Sequence, residues 1–88
     1  MQLPFKEEHL GDNTYLRNFK NETDSGQFTW HRDREDRIIE STHQTDWQVQ
    51  IDDQLPQNMS TPIFIPKGIY HRVIKGTGDL EIKVQKLF

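Results

Sequence analysis

Cysteine and alanine are both absent from the sequence. Without thiols there is no disulfide, no sulfur ligand for a metal and no thiol nucleophile. Without alanine the apolar set consists mainly of Ile, Val, Leu, Phe, Trp and Tyr, and threonine is frequent, a mix that favours strands over helices. No apolar run approaches the roughly 20 residues needed to span a bilayer. The opening residues, MQLPFKEEHL, lack the long apolar stretch of a signal peptide, so a cytoplasmic protein away from membranes is expected. In that setting the sequon at Asn21 is a chance match. There is no basic excess either. The formal net charge is −3 and the pI about 5.7, with Lys and Arg scattered among acids. That excludes the basic stripe of a protein that grips nucleic-acid polymers.

What is present is one small domain of 88 residues with little core material. Only 32% of residues are hydrophobic and the mean hydropathy is −0.92. A core this thin predicts that a second copy covers some apolar surface, and a homodimer is expected. Turn-forming clusters recur through the chain: GDN at Gly11, NETDSG from Asn21, HQTD from His43, DDQLPQN from Asp52, PKG at Pro66 and GTGD at Gly76. This spacing predicts many short antiparallel strands. Two are plain from alternation. WQVQID sends Trp47, Val49 and Ile51 to one face, and LEIKVQ sends Leu80, Ile82 and Val84 to one face. YLRNF, GQFTWH, DRIIES, PIFIP and IYHRVIK supply the others. No helical period extends beyond two turns, so the expected fold is all-β, a small jelly roll or barrel.

The most unusual stretch is FTWHRDREDRIIE, Phe28 to Glu40. It places His31, Arg32, Asp33, Arg34, Glu35, Asp36 and Arg37 between an aromatic pair, Phe28 and Trp30, and an isoleucine pair, Ile38 and Ile39. Two readings are open. One is a solvent-facing ion cluster. The other is the lining of a pocket, with the apolar residues anchoring it on either side. On an extended segment His31 and Asp33 point the same way. A second segment bears on the choice. In PIFIPKGIYHRVIK a short strand ends at Pro66, Gly68 can take the positive φ of a tight turn, and His71 follows near the start of the next strand. His71 and its neighbour Arg72 point to opposite faces of that strand, so only one of them faces inward. His9 and His43 have no partner at useful spacing and read as surface residues.

The PKG segment resembles the second motif of the cupin superfamily, Gly-x5-Pro-x-Gly-x2-His-x3-Asn. Pro66, Gly68 and His71 match, while Ser60 and Lys75 stand where the pattern has Gly and Asn. The charged stretch resembles a degraded first motif, Gly-x5-His-x-His-x3–4-Glu-x6-Gly. His31 takes the first histidine position and Asp33 the second. Arg37 or Ile38 falls at the Glu position, Gly26 is one residue off the leading Gly, and Gln44 or Thr45 stands for the closing Gly. The resemblance covers about residues 14 to 85. It implies a double-stranded β-helix domain over residues 14–88, with residues 1–13 either packing on the barrel or flexible. It also implies a pocket, and one divalent metal (Fe, Mn, Ni or Zn) on His31, Asp33 and His71, with Glu35 or Asp36 as a candidate fourth ligand. Two imidazoles and one carboxylate are also the facial set of non-haem iron sites. The chain is similar as well to short cupin-like proteins of tailed phages, which would place it in a host cytoplasm.

Three functions follow. In the first, the pocket binds a small polar or anionic ligand, with or without a metal, through Arg37, His71, Arg72, Trp30 and Trp47. A phage protein of this kind would sequester a nucleotide-type signal. In the second, the metal set makes a mononuclear cupin enzyme, a dioxygenase or isomerase. In the third, the outer surface inhibits a partner protein. The arginine at the Glu position favours the first, because it suits an anion better than a cation.

Overall fold

A computed structural model describes residues 5–23 and 28–88. Among these residues the chain forms eight strands and no helix: β1 (Lys6–Gly11), β2 (Thr14–Phe19), β3 (Asp36–Ser41), β4 (Gln48–Ile51), β5 (Gln57–Asn58), β6 (Ile63–Ile65), β7 (His71–Ile74) and β8 (Leu80–Leu87). They form a five-stranded sheet in the order β1-β2-β8-β3-β6 and a three-stranded sheet in the order β5-β4-β7. All pairings are antiparallel, which makes a small jelly-roll barrel.

Alternation decides which side chains fill the space between the sheets. Val49 and Ile51 point inward from β4, and Leu80, Ile82 and Val84 from β8, as their spacing predicts. Ile39 of β3 meets Val84 on one side and Ile63 of β6 on the other, so three strands contribute to one apolar row. Residues Gly11, Asp12 and Asn13 turn β1 back onto β2 with three consecutive positive φ angles, of 109°, 46° and 62°. Glycine carries no penalty there, and Asp and Asn tolerate the left-handed region better than other side chains.

Two expectations need correction. The strand expected over GQFTWH is not formed at Phe28–Trp30, and His31 makes only an isolated bridge to His71; Gly26 and Gln27 lie outside the described residues. The cause is the packing of Phe28. Its ring packs 5.7 Å from Phe19 and 5.7 Å, edge-on, from Trp47, turning the chain in toward the core. The apolar pair also divides: Phe28 packs on the core, but Trp30 is 42% exposed.

The two ends of the barrel differ. At one end Trp47, Met59 and Leu80 are wholly or almost wholly buried. The indole nitrogen of Trp47 donates to the Gly78 carbonyl at 3.1 Å, which satisfies its buried polar atom. Gly76 lies flat against this corner, and a Cβ there would overlap the Asp46 carboxylate and the Trp47 backbone nitrogen. At the other end, where Ile51 pairs with His71, the core is not filled by side chains, and the charged residues gather there.

The turn behind Trp47 is tied by an exposed carboxylate. Asp46 accepts the Thr77 backbone N–H at 2.7 Å and the Thr77 hydroxyl at 2.8 Å. The backbone hydrogen bond, followed by the hydroxyl, holds the Asp46 carboxyl below its ordinary range. A depressed carboxyl adds stability above its unfolded pKa and loses it as pH falls through the folded value. Asp46→Asn is therefore expected to lower the urea midpoint at neutral pH. The gap to the wild-type chain should close as the pH drops below the carboxylate range, as urea titrations at neutral and acid pH would record.

Candidate metal centre and its cavity

The charged segment is held by the backbone of the PKG turn. His31 and His71 exchange two backbone hydrogen bonds, of 3.0 and 2.8 Å. Two residues on, the Asp33 carbonyl accepts the Gly68 N–H at 2.8 Å. The Asp36 carboxylate accepts the Lys67 N–H at 2.8 Å. Pro66 ends β6 and Gly68 takes φ of 75°, so the chain reverses in time to start β7 at His71. Asp36 is thus occupied by the turn. The side chains of His31, Asp33 and His71 then converge, each with one ligand atom within 4.8 Å of the others. The two imidazole rings lie 4.3 Å apart, near edge-on.

Hydrogen bonds fix which ring nitrogens face the centre. His31 Nδ1 lies 3.0 Å from the Thr29 carbonyl and His71 Nδ1 lies 3.0 Å from the Ile69 carbonyl. A carbonyl only accepts, so in each ring Nδ1 carries the hydrogen, and the neutral ring then offers the Nε2 lone pair. His71 Nε2 approaches Asp33 Oδ2 to 3.1 Å, yet Oδ2 is buried with no hydrogen-bond partner. With His71 neutral, its Nε2 lone pair and the Asp33 oxygen repel and neither finds a donor, until a proton on Nε2 makes the ion pair or a cation sits between them. A divalent cation shared among them removes both problems. Backbone carbonyls that orient ligating histidines through Nδ1 are the usual support of such a site. The donor set therefore fits a metal.

Burial raises the Asp33 pKa, but a hydrogen bond from His71, the Arg37 charge and the charges of His71 and His31 in their protonated forms outweigh it and hold the carboxyl below its usual range. It is ionised at neutral pH, as a ligand must be. Its other oxygen, Oδ1, lies 3.4 Å from Arg37 Nη2, which is also 3.1 Å from Glu35 Oε1. Lys86 follows at 3.9 Å from the same Glu35 oxygen. Charges thus alternate outward from the centre: Asp33, Arg37, Glu35, Lys86. Glu35, expected as a possible fourth ligand, is outside the converging group and serves as the counter-ion of Arg37.

A cavity of about 410 Å³ opens beside this group, and His31, His71 and Arg37 lie on its wall. Most of the wall is apolar, including Phe28, Val49, Val73 and Ile82. Three residues expected at the ligand lie elsewhere. Arg72 is on the outer face of β7, bonded to the Gln50 side-chain oxygen at 2.8 and 3.0 Å, because His71 takes the inward position. Trp30 lies under the Arg72 guanidinium, 4.9 Å from ring centroid to carbon, outside the barrel. Trp47 is fully buried in the far core. One wall residue, Arg17, went unassigned. It pairs with Glu7 and packs against Phe5, 4.4 Å from the ring centroid. The signal was available, since alternation in YLRNF puts Arg17 on the face of the buried Phe19.

The fold is shared with solved structures. The chain superposes on a cupin domain from Bordetella pertussis Tohama I with a TM-score of 0.62 at 15% identity, over 100% of this chain and 99% of that one. It superposes on DMSP lyase DddQ from Ruegeria pomeroyi DSS-3 with a TM-score of 0.72 at 11% identity, over 97% of this chain and 47% of that one. On the Fe(II) form of HppE the TM-score is 0.63 at 6% identity, over 84% and 41%. This chain spans less than half the length of the last two proteins. At these identities the likeness is one of fold, and the chain has the cupin fold. No family model and no curated protein matches its sequence.

Because Gly68 sets the turn that delivers His71, its substitution tests the backbone requirement. A Cβ there would meet nothing within 4 Å, so any penalty comes from φ alone. Gly68→Ala is expected to cost about 1–2 kcal/mol, and Gly68→Asn less, as measured by chemical denaturation.

Proposed function

We propose that this chain is a mononuclear metal-binding cupin that captures a small anionic ligand in the cavity beside the metal. One observation carries the reading: the buried, unpartnered Asp33 Oδ2 converges with His31 and His71, each with Nδ1 committed to a backbone carbonyl. Two nitrogens and one oxygen suit Fe(II), Mn, Ni or Zn, and three ligands from one side leave positions open. When bound, the metal supplies Lewis acidity and those open positions. The protein's own residues do the remainder. Arg37 holds Asp33 through Oδ1, so that Oδ2 is left for the metal. Phe28 and the valines of the wall make the inner part of the cavity apolar. The exposed His31 side marks the entrance. The largely apolar wall supports a ligand with an apolar body over a nucleotide, whose ribose and phosphate need many polar partners.

A second reading is a metal-dependent enzyme, favoured by the open positions of a three-ligand set and by the fold shared with the iron-containing HppE. It is tested by oxygen uptake of the iron-loaded protein with candidate ligands; no uptake, with iron bound, would reject an oxygenase.

Native mass spectrometry of freshly purified, untagged protein, compared with the denatured sample, tests the main reading. The expected result is a mass excess of one metal per chain, lost in His31→Ala and in His71→Ala. The same spectrum reports the subunit count, for which a homodimer is expected. A bare chain mass after reconstitution with each of Fe(II), Mn, Ni and Zn would overturn the metal site.

A further inference from the structure

Two buried side-chain atoms among the described residues lack a hydrogen-bond partner. A metal accounts for Asp33 Oδ2. The other is Arg37 Nε, and a metal cannot account for it, because it is a donor on a cation. Arg37 is one of two arginines on the cavity wall. Arg17 is already committed: its Nε pairs with Glu7 and its guanidinium packs against Phe5. In Arg37 only Nη2 is engaged, by Asp33 and Glu35. A buried N–H left unpaired costs about 1–3 kcal/mol unless something completes it. Arg37 also lines a space of about 410 Å³ walled largely by Phe, Val and Ile side chains.

We propose that the cavity takes a small monocarboxylic acid with an apolar body, and that Arg37 is the residue that selects its carboxylate. A guanidinium N–H to a carboxylate is a strong, charge-assisted hydrogen bond, strongest where water is excluded. A short aliphatic or single-ring body satisfies the apolar wall, whereas a sugar or a ribose would bury hydroxyls without partners. A phosphate dianion carries more charge and more acceptors than one N–H can serve. This inference rests on the reading that the cavity is a ligand site, but not on the metal.

Isothermal titration of the full chain, metal-free and zinc-loaded, with butyrate, hexanoate, benzoate, hexanamide and inorganic phosphate tests it, with zinc content measured on the same samples. Hexanoate should bind more tightly than butyrate, by roughly threefold per added methylene, and hexanamide about tenfold or more weakly than hexanoate. Arg37→Lys keeps the positive charge toward Asp33 and Glu35 but lacks Nε; it should lose about tenfold in hexanoate affinity with an unchanged near-ultraviolet spectrum. If that variant fails to fold, the comparison of hexanoate with hexanamide on the wild-type chain still decides. Equal binding of hexanoate and hexanamide, phosphate binding as tight as hexanoate, or full affinity in a folded Arg37→Lys chain would overturn the proposal. A chain that takes one zinc but no carboxylate would overturn it alone. Carboxylate binding by a chain that takes no metal would uphold it and overturn the metal reading instead.

Discussion

Two backbone hydrogen bonds between His31 and His71 hold the site together. They join a segment that is otherwise irregular to the first residue of β7. Among the described residues, the converging group of His31, Asp33 and His71 sits within two residues of that bridge. It fixes the separation of the two rings, and the carbonyls of Thr29 and Ile69 then fix their orientation. Asp33 enters because its own carbonyl is tied to Gly68, on the far side of the same turn. A backbone scaffold of this kind is stiffer than one of side chains, since it spends no rotamer freedom.

The charge packed between Phe28 and Ile39 has a physical account in these terms. Asp33 faces the converging histidines, Arg37 and Glu35 neutralise each other beside it, and Asp36 ties the PKG turn. Arg32 lies against Tyr70, 5.3 Å from its ring centroid, on the outside. Neither a purely solvated cluster nor a simple pocket lining describes this stretch. Part of it binds the fold, part supports the centre, and part meets solvent. The apolar wall beside it changes what the cavity suits. Burial makes each charged contact stronger there and each unpaired polar atom more costly.

Much of this was legible in the sequence. DRIIES forms β3 over the same six residues, Asp36 to Ser41, and the alternation of β4 and β8 predicts their buried faces. The turn at Pro66 and Gly68 follows from turn chemistry, and His71 as a site residue from the motif resemblance. Other features were hidden for identifiable reasons. β1 has no apolar alternation, because KEEHLG is held by ladder bonds to β2 at the edge of the sheet and almost all of it is exposed. Trp30 looked like an anchor, but its indole lies outside the barrel with Arg72, as an amphipathic ring can. Arg17 faces the cavity because Phe5, just before the neighbouring strand β1, and Glu7, within it, cover its charge. Arg72 and His71 compete for one inward position, and the period of two does not say which wins.

The central claim is that His31, Asp33 and His71 form one coordination sphere. The most direct measurement is X-ray absorption on the zinc-loaded protein. The account predicts a first shell of nitrogen and oxygen at about 2.0–2.2 Å, with outer-shell scattering from two imidazoles that falls to one in His71→Ala. A first shell of oxygen only, with no imidazole scattering, would contradict it.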